Sequence, residues 1–141
     1  MAIHAKRVVL GGITAGLIII SSGLLMVPVV GKQMKAALME RNLPPLSGGA
    51  MVFFGMMSFG LGVLLVWLYA AVRPRFGPGP RTAAIVSILV WFLAYFLANA
   101  SNLAFGFMPI SLTVVGTAWG LVELVVAGQV GARLYNEEQQ R

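Results

Sequence analysis

Residues 109–134 read PISLTVVGTAWGLVELVVAGQVGARL and carry one carboxylate, Glu123, near their middle. A transmembrane helix needs about 20 apolar residues to cross about 30 Å of hydrocarbon. This run therefore predicts a membrane span with an acidic residue at its centre. The other acidic residues of the chain lie outside its apolar runs, at Glu40, Glu137 and Glu138.

The composition of the whole chain supports the same interpretation. Its 141 residues are 59% hydrophobic and 10% charged, whereas a soluble domain has about 25% charged residues. A chain with so few charged residues has too few polar side chains to cover a water-facing surface. The composition thus excludes a soluble protein and predicts a single integral membrane domain over residues 1–141.

Four apolar runs are long enough to cross a bilayer, and they cover residues 8–30, 50–72, 82–105 and 109–134. We expect an all-α fold, an antiparallel four-helix transmembrane bundle in which spans joined by short connections are neighbours. Pro28 predicts a kink or an end in the first span. Residues 32–41 have a helical composition, and they form either a short interfacial helix or an ordinary loop.

Small residues recur at helical spacing in several spans. Such patterns allow two helix backbones to approach closely. The positions expected to pack helices are Gly12, Gly16, Gly23, Ser58, Gly62, Gly116 and Gly120.

Basic residues predict the orientation of the chain. Seven lie on the side of the termini, namely Lys6, Arg7, Arg73, Arg75, Arg81, Arg133 and Arg141. Three lie on the opposite side, namely Lys32, Lys35 and Arg41. Because cytoplasmic loops carry the excess of Lys and Arg, we expect both termini in the cytoplasm. Of these residues, Arg73, Arg75 and Arg81 belong to a stiff Pro- and Gly-rich turn, which either orients the chain or binds anionic lipid headgroups.

Glu123 lies on a helix face made of small residues. At 100° per residue, it shares that face with Thr113, Gly116, Gly120, Ala127 and Gly131. An ionised carboxylate facing lipid costs at least about 2.5 kcal/mol, so we expect Glu123 to be buried and largely protonated at neutral pH. The expected hydrogen-bond partners, chosen by depth, are Trp119, Trp91, Thr14 and Ser87.

The sequence offers little for catalysis. It has no cysteine, and its single histidine, His4, precedes the first apolar run. It contains no phosphate loop, HExxH or GxSxG motif, and no basic stripe interleaved with exposed aromatic residues. We therefore expect no enzyme activity, no metal or other cofactor and no nucleic-acid partner.

Two stretches carry a resemblance. The run LLVWLYAAVRPRFGPGP at residues 64–80 and WGLVE at residues 119–123 resemble a group of small bacterial membrane proteins with four spans. The resemblance implies four helices in a bacterial inner membrane. It implies no activity, cofactor or catalytic residue.

Two functions remain open at this point. The first, which the sequence favours, is a structural or accessory protein that associates with itself or with a larger membrane complex through glycine faces. The second is a small oligomeric transporter or channel in which Glu123 couples to a proton or another cation. In the first case Glu123 only joins helices by hydrogen bonds.

Overall fold

The computed structural model describes residues 3–137, and of Asn136 and Glu137 only the backbone. Within these residues, four helical spans are long and apolar enough to cross a membrane. They are α1 (Ala5–Glu40), α2 (Gly48–Phe76), a third span made of α3 (Pro80–Trp91), a π-helical turn (Phe92–Phe96) and α4 (Leu97–Ala104), and lastly α5 (Ile110–Glu137). The predicted all-α four-helix transmembrane bundle is confirmed, and the chain is a multi-pass membrane protein. Arg141, counted above for orientation, lies outside the described residues.

The first helix is longer than the sequence predicted. It continues through Pro28 to Glu40, so residues 32–40 extend α1 instead of forming a separate interfacial helix. Proline removes one backbone donor, but the helix is intact on both sides of it. With 36 residues, α1 is about 54 Å long, which exceeds the hydrocarbon thickness. At its end, the Arg41 guanidinium donates hydrogen bonds to the carbonyl oxygens of Ala37, at 3.0 Å, and Gly106, at 3.2 Å.

The turn between α2 and α3 has the stiffness that its prolines and glycines predict. Gly77 and Gly79 have φ of 82° and 132°, a region that favours glycine because it lacks a Cβ. The Gly79 amide donates to the Tyr69 hydroxyl at 3.1 Å, and the Thr82 hydroxyl donates to the Gly77 carbonyl at 2.8 Å. These bonds fix the turn to both helices that it joins.

Three of the predicted packing glycines bring α1 and α2 into backbone contact. A Cβ added at Gly12 would lie 2.5 Å from the Cα of Val63. A Cβ added at Gly62 would collide with the carbonyl oxygen of Gly12, and one at Gly16 would lie 2.9 Å from the Cα of Phe59. This glycine face is therefore occupied inside the chain.

The core is uneven along the bundle axis. The most deeply buried side chains lie in the half nearest the termini and include Ala15, Leu65, Val66, Ala83, Ser87, Leu124 and Ala127. In the opposite half, no residue from 92 to 107 is buried. The helices thus bury more side chains at the terminal end than at the other end, which we call the outer half.

Candidate functional site

Glu123 lies where the packed half of the bundle meets the outer half. Its side chain is buried, with 8% of its surface exposed. The Tyr95 hydroxyl donates a hydrogen bond to its Oε1 at 2.7 Å. The Ser22 hydroxyl lies close to the same carboxyl group. The carboxyl is therefore bound by a side chain of the third span and lies beside one of α1.

Trp119 completes this polar group from one turn earlier in α5. Its indole Nε1 donates to the Ser22 oxygen at 2.7 Å. Ser22 is thereby held beside the Glu123 carboxyl group. The four side chains form one polar cluster across three spans, with hydrogen bonds between Tyr95 and Glu123 and between Trp119 and Ser22.

Tyr95 reaches Glu123 because it stands in the π-helical turn and because the facing residue is glycine. A Cβ added at Gly120 would collide with the Tyr95 ring, so the ring occupies the space that a side chain there would need. One turn further along, the Asn99 amide donates to the Thr117 hydroxyl at 2.9 Å. The outer half of the third span thus presents two polar side chains to α5.

A cleft of about 440 Å³ opens beside Glu123 in the outer half. This volume is within the range of pockets that hold drug-sized molecules. The wall is mainly apolar, and the polar side chains that reach it are Glu123, Tyr95, Trp119 and Ser58. Leu24 and Met51 on the rim are 67% and 65% exposed, so the cleft is open along the side of the bundle and is bordered by surface that faces lipid.

Glu123 has no basic residue at its depth. The sequence contains no Lys or Arg in residues 8–31, 42–72 or 82–132. The basic residues therefore lie toward the ends of the spans. Since an ionised carboxylate in the bilayer centre is costly without a partner, this group needs a proton or a cation that the chain itself does not provide.

The structure corrects the predicted partners of Glu123. Trp119 belongs to the cluster through Ser22, but the other three bind backbone carbonyls elsewhere. Trp91 donates to Thr117 at 2.8 Å, Thr14 to Leu10 at 3.1 Å and Ser87 to Ala83 at 2.8 Å. Serine and threonine in a helix commonly bond the carbonyl four residues earlier. Depth alone was thus a poor guide to the partners.

The remaining predicted positions are divided between packing and open surface. Gly23 and Gly116 line the cleft, and a Cβ added at either would meet nothing within 4 Å. At the terminal end, the Arg73 guanidinium lies 5.8 Å from the centre of the Tyr135 ring. Arg75 and Arg81 are exposed.

The chain was compared with protein-family models, curated proteins and solved structures, and it matches none of them.

Proposed function

We propose that the protein is a small proton-coupled transporter of lipophilic cations, with Glu123 as the coupling site. The observation that carries the proposal is a buried carboxyl group without a basic partner on the wall of an open apolar cleft. The apolar wall suits the hydrocarbon part of such a cation, and the carboxylate suits its charge. Proton and cation then compete for the same group.

This proposal places transport ahead of the accessory role, which the sequence alone favoured. An accessory role through glycine faces has less support, because Gly12, Gly16 and Gly62 contact the facing helix within the chain. Self-association or a place in a larger complex would have to use other surfaces, such as the exposed outer part of α2. The cleft beside Glu123 supports the transport role more directly.

The test uses the full chain in liposomes with radiolabelled tetraphenylphosphonium as the probe. We expect saturable binding by the wild type, and binding that weakens as the pH falls, since protonation removes the charge of Glu123. Glu123→Gln should weaken binding by about thirtyfold, the cost of removing one partner of a buried charge pair. Glu40→Gln is the matched control, because Glu40 is an exposed carboxylate at the outer end of α1, and it should bind as the wild type does.

Transport is tested separately from binding. A proton gradient imposed across the liposome membrane should drive accumulation of the probe by the wild type and by Glu40→Gln but not by Glu123→Gln. Wild-type protein that shows neither saturable binding nor driven accumulation would remove the transporter proposal. Equal binding by Glu123→Gln would remove Glu123 from it.

The proposed setting is a bacterial inner membrane with both termini in the cytoplasm. Exposed Arg75 and Arg81 would then meet anionic headgroups of the inner leaflet. The chain has no cysteine, so single cysteines report orientation directly. In intact cells, we expect a membrane-impermeant thiol reagent to label Ser47→Cys and not His4→Cys. The opposite labelling pattern would invert the proposed orientation.

A further inference from the structure

The third span changes character at its π-helical turn. Before the turn, α3 is anchored by buried side chains, namely Thr82, Ala83, Val86, Ser87 and Val90. The turn itself and α4 contain no buried residue. One half of the span is thus fixed in the core, and the other half is held mainly by its polar contacts with α5.

The π turn determines which side chains face α5. In a continuous α-helix, the residue four positions after Val90 lies on the same face as Val90, and this residue is Ala94. The π turn adds one residue, so Tyr95 takes this place and Asn99 follows it four residues later. Ala94 and Ala98 lie one position earlier than these two residues, and both are exposed.

Either pair, Tyr95 with Asn99 or Ala94 with Ala98, can pack against the surface of α5 that faces the third span. This surface contains Gly120, and an added Cβ there would collide with the Tyr95 ring. With Tyr95 and Asn99 facing it, the contact is made by hydrogen bonds to Glu123 and Thr117. With Ala94 and Ala98 facing it, the contact would be a small-residue interface of the kind that lets helix backbones approach closely.

We propose that the π turn is a register switch that controls Glu123. In the π register, Tyr95 binds the carboxyl group. In a continuous α-helix, the residues after Val90 rotate by about 100°, Ala94 and Ala98 face α5, and Tyr95 leaves Glu123 to the cation. π-helical turns occur frequently at functional sites. This role rests on the proposed function, because the cation takes the place of the Tyr95 hydroxyl at the carboxyl group.

The surroundings of the turn favour such a rotation. No buried side chain of residues 92–104 has to leave a packed core. The connection that follows contains Gly106 with φ of 70°, and glycine adopts many backbone conformations at little steric cost. The rotation breaks the hydrogen bonds of Tyr95 and Asn99 to α5. In return, the third span gains regular α-helical geometry and a closer contact with α5.

Thiol cross-linking in liposomes tests the switch. The double variant Asn99→Cys/Thr117→Cys reports the π register, and Ala98→Cys/Thr117→Cys reports the α register. A third pair, Leu97→Cys/Thr117→Cys, is the control for chance encounters, because Leu97 points away from α5 in the π register. All three keep Tyr95 and Glu123. A short bifunctional methanethiosulfonate reagent joins each pair, and the absence of native cysteine leaves no competing thiol.

Without a ligand, we expect the 99–117 pair to react most and the 98–117 pair to exceed the control slightly. Tetraphenylphosphonium should raise the yield of the 98–117 pair by about tenfold, as expected when a ligand selects a minor state. The same addition to the 98–117 pair in a Glu123→Gln background should change nothing.

A yield of the 98–117 pair equal to that of the 97–117 control in every condition would overturn the switch, whether or not the probe binds. If both the 98–117 and 99–117 pairs react above the control but the wild type does not bind the probe, the switch stands and the cation proposal fails. The two proposals therefore fail by different measurements.

Discussion

Gly62→Ala should be strongly destabilising, with an expected loss of about 3 kcal/mol or more in the free energy of unfolding. The added methyl group would collide with the backbone carbonyl of Gly12. A backbone atom does not move aside as the end of a flexible side chain does, so α1 and α2 must separate along their contact. Overpacking of a well-packed interior typically costs about 1–3 kcal/mol, and a clash between two backbones belongs at the upper end.

Gly60→Ala is the matched control for this prediction. Gly60 lies two residues earlier on the same helix, and a Cβ there would meet nothing within 4 Å. We expect its unfolding free energy to stay within about 0.5 kcal/mol of the wild type. Unfolding by SDS in mixed micelles, followed by tryptophan fluorescence, measures both variants. Equal stability of the two would contradict the backbone contact between α1 and α2.

Gly116→Phe should block the cleft and lower the affinity for tetraphenylphosphonium by about two orders of magnitude. Gly116 lines the cleft, and a side chain added there would meet no neighbouring atom within 4 Å. The phenyl ring therefore enters the space that the cation needs without displacing the helices. The expected result is lost binding with the stability of the bundle retained.

The control is Gly60→Phe, which adds the same ring on an exposed position outside the cleft. It should bind the probe as the wild type does. The readouts are equilibrium binding in liposomes and, for both variants, the same unfolding measurement as above. Undiminished binding by a stably folded Gly116→Phe would show that the cation does not occupy this cleft.

Much of the architecture could be predicted from the sequence because hydropathy along a chain is a local property. Predicting the four spans required only the length of each apolar run. Glu123 stood out because a carboxylate is rare in such a run. Its burial also followed from the small residues on its helix face. Gly12, Gly16 and Gly62 were predicted to allow a close helix contact, and the structure shows that this contact joins α1 and α2.

The polar cluster could not be predicted in the same way, because it depends on how helices rotate about their axes. A constant 100° per residue places Ala94, not Tyr95, next to α5, and the π turn changes this relation by one residue. The aromatic side chains also fit the membrane interface, so Tyr95 gave no separate signal. Only its depth in the span, near that of Glu123, pointed to it.

The length of α1 shows a similar limit. Pro28 is a reasonable place to end a helix, and a backbone break there would have produced a separate segment before Arg41. The helix continues because losing one backbone bond does not outweigh the bonds that remain on either side. The cleft was also beyond reach, since its wall combines residues of α1, α2, the third span and α5, and no single segment encodes it.

The cleft faces the interior of a bilayer, and this sets the reference state for anything that binds there. Its rim consists of exposed apolar residues such as Leu24 and Met51, so acyl chains of the surrounding lipid fill it when no other molecule does. Binding is then an exchange, in which a ligand displaces hydrocarbon instead of water. The affinity of the site is accordingly a joint property of the protein and of the order of the lipid chains around it.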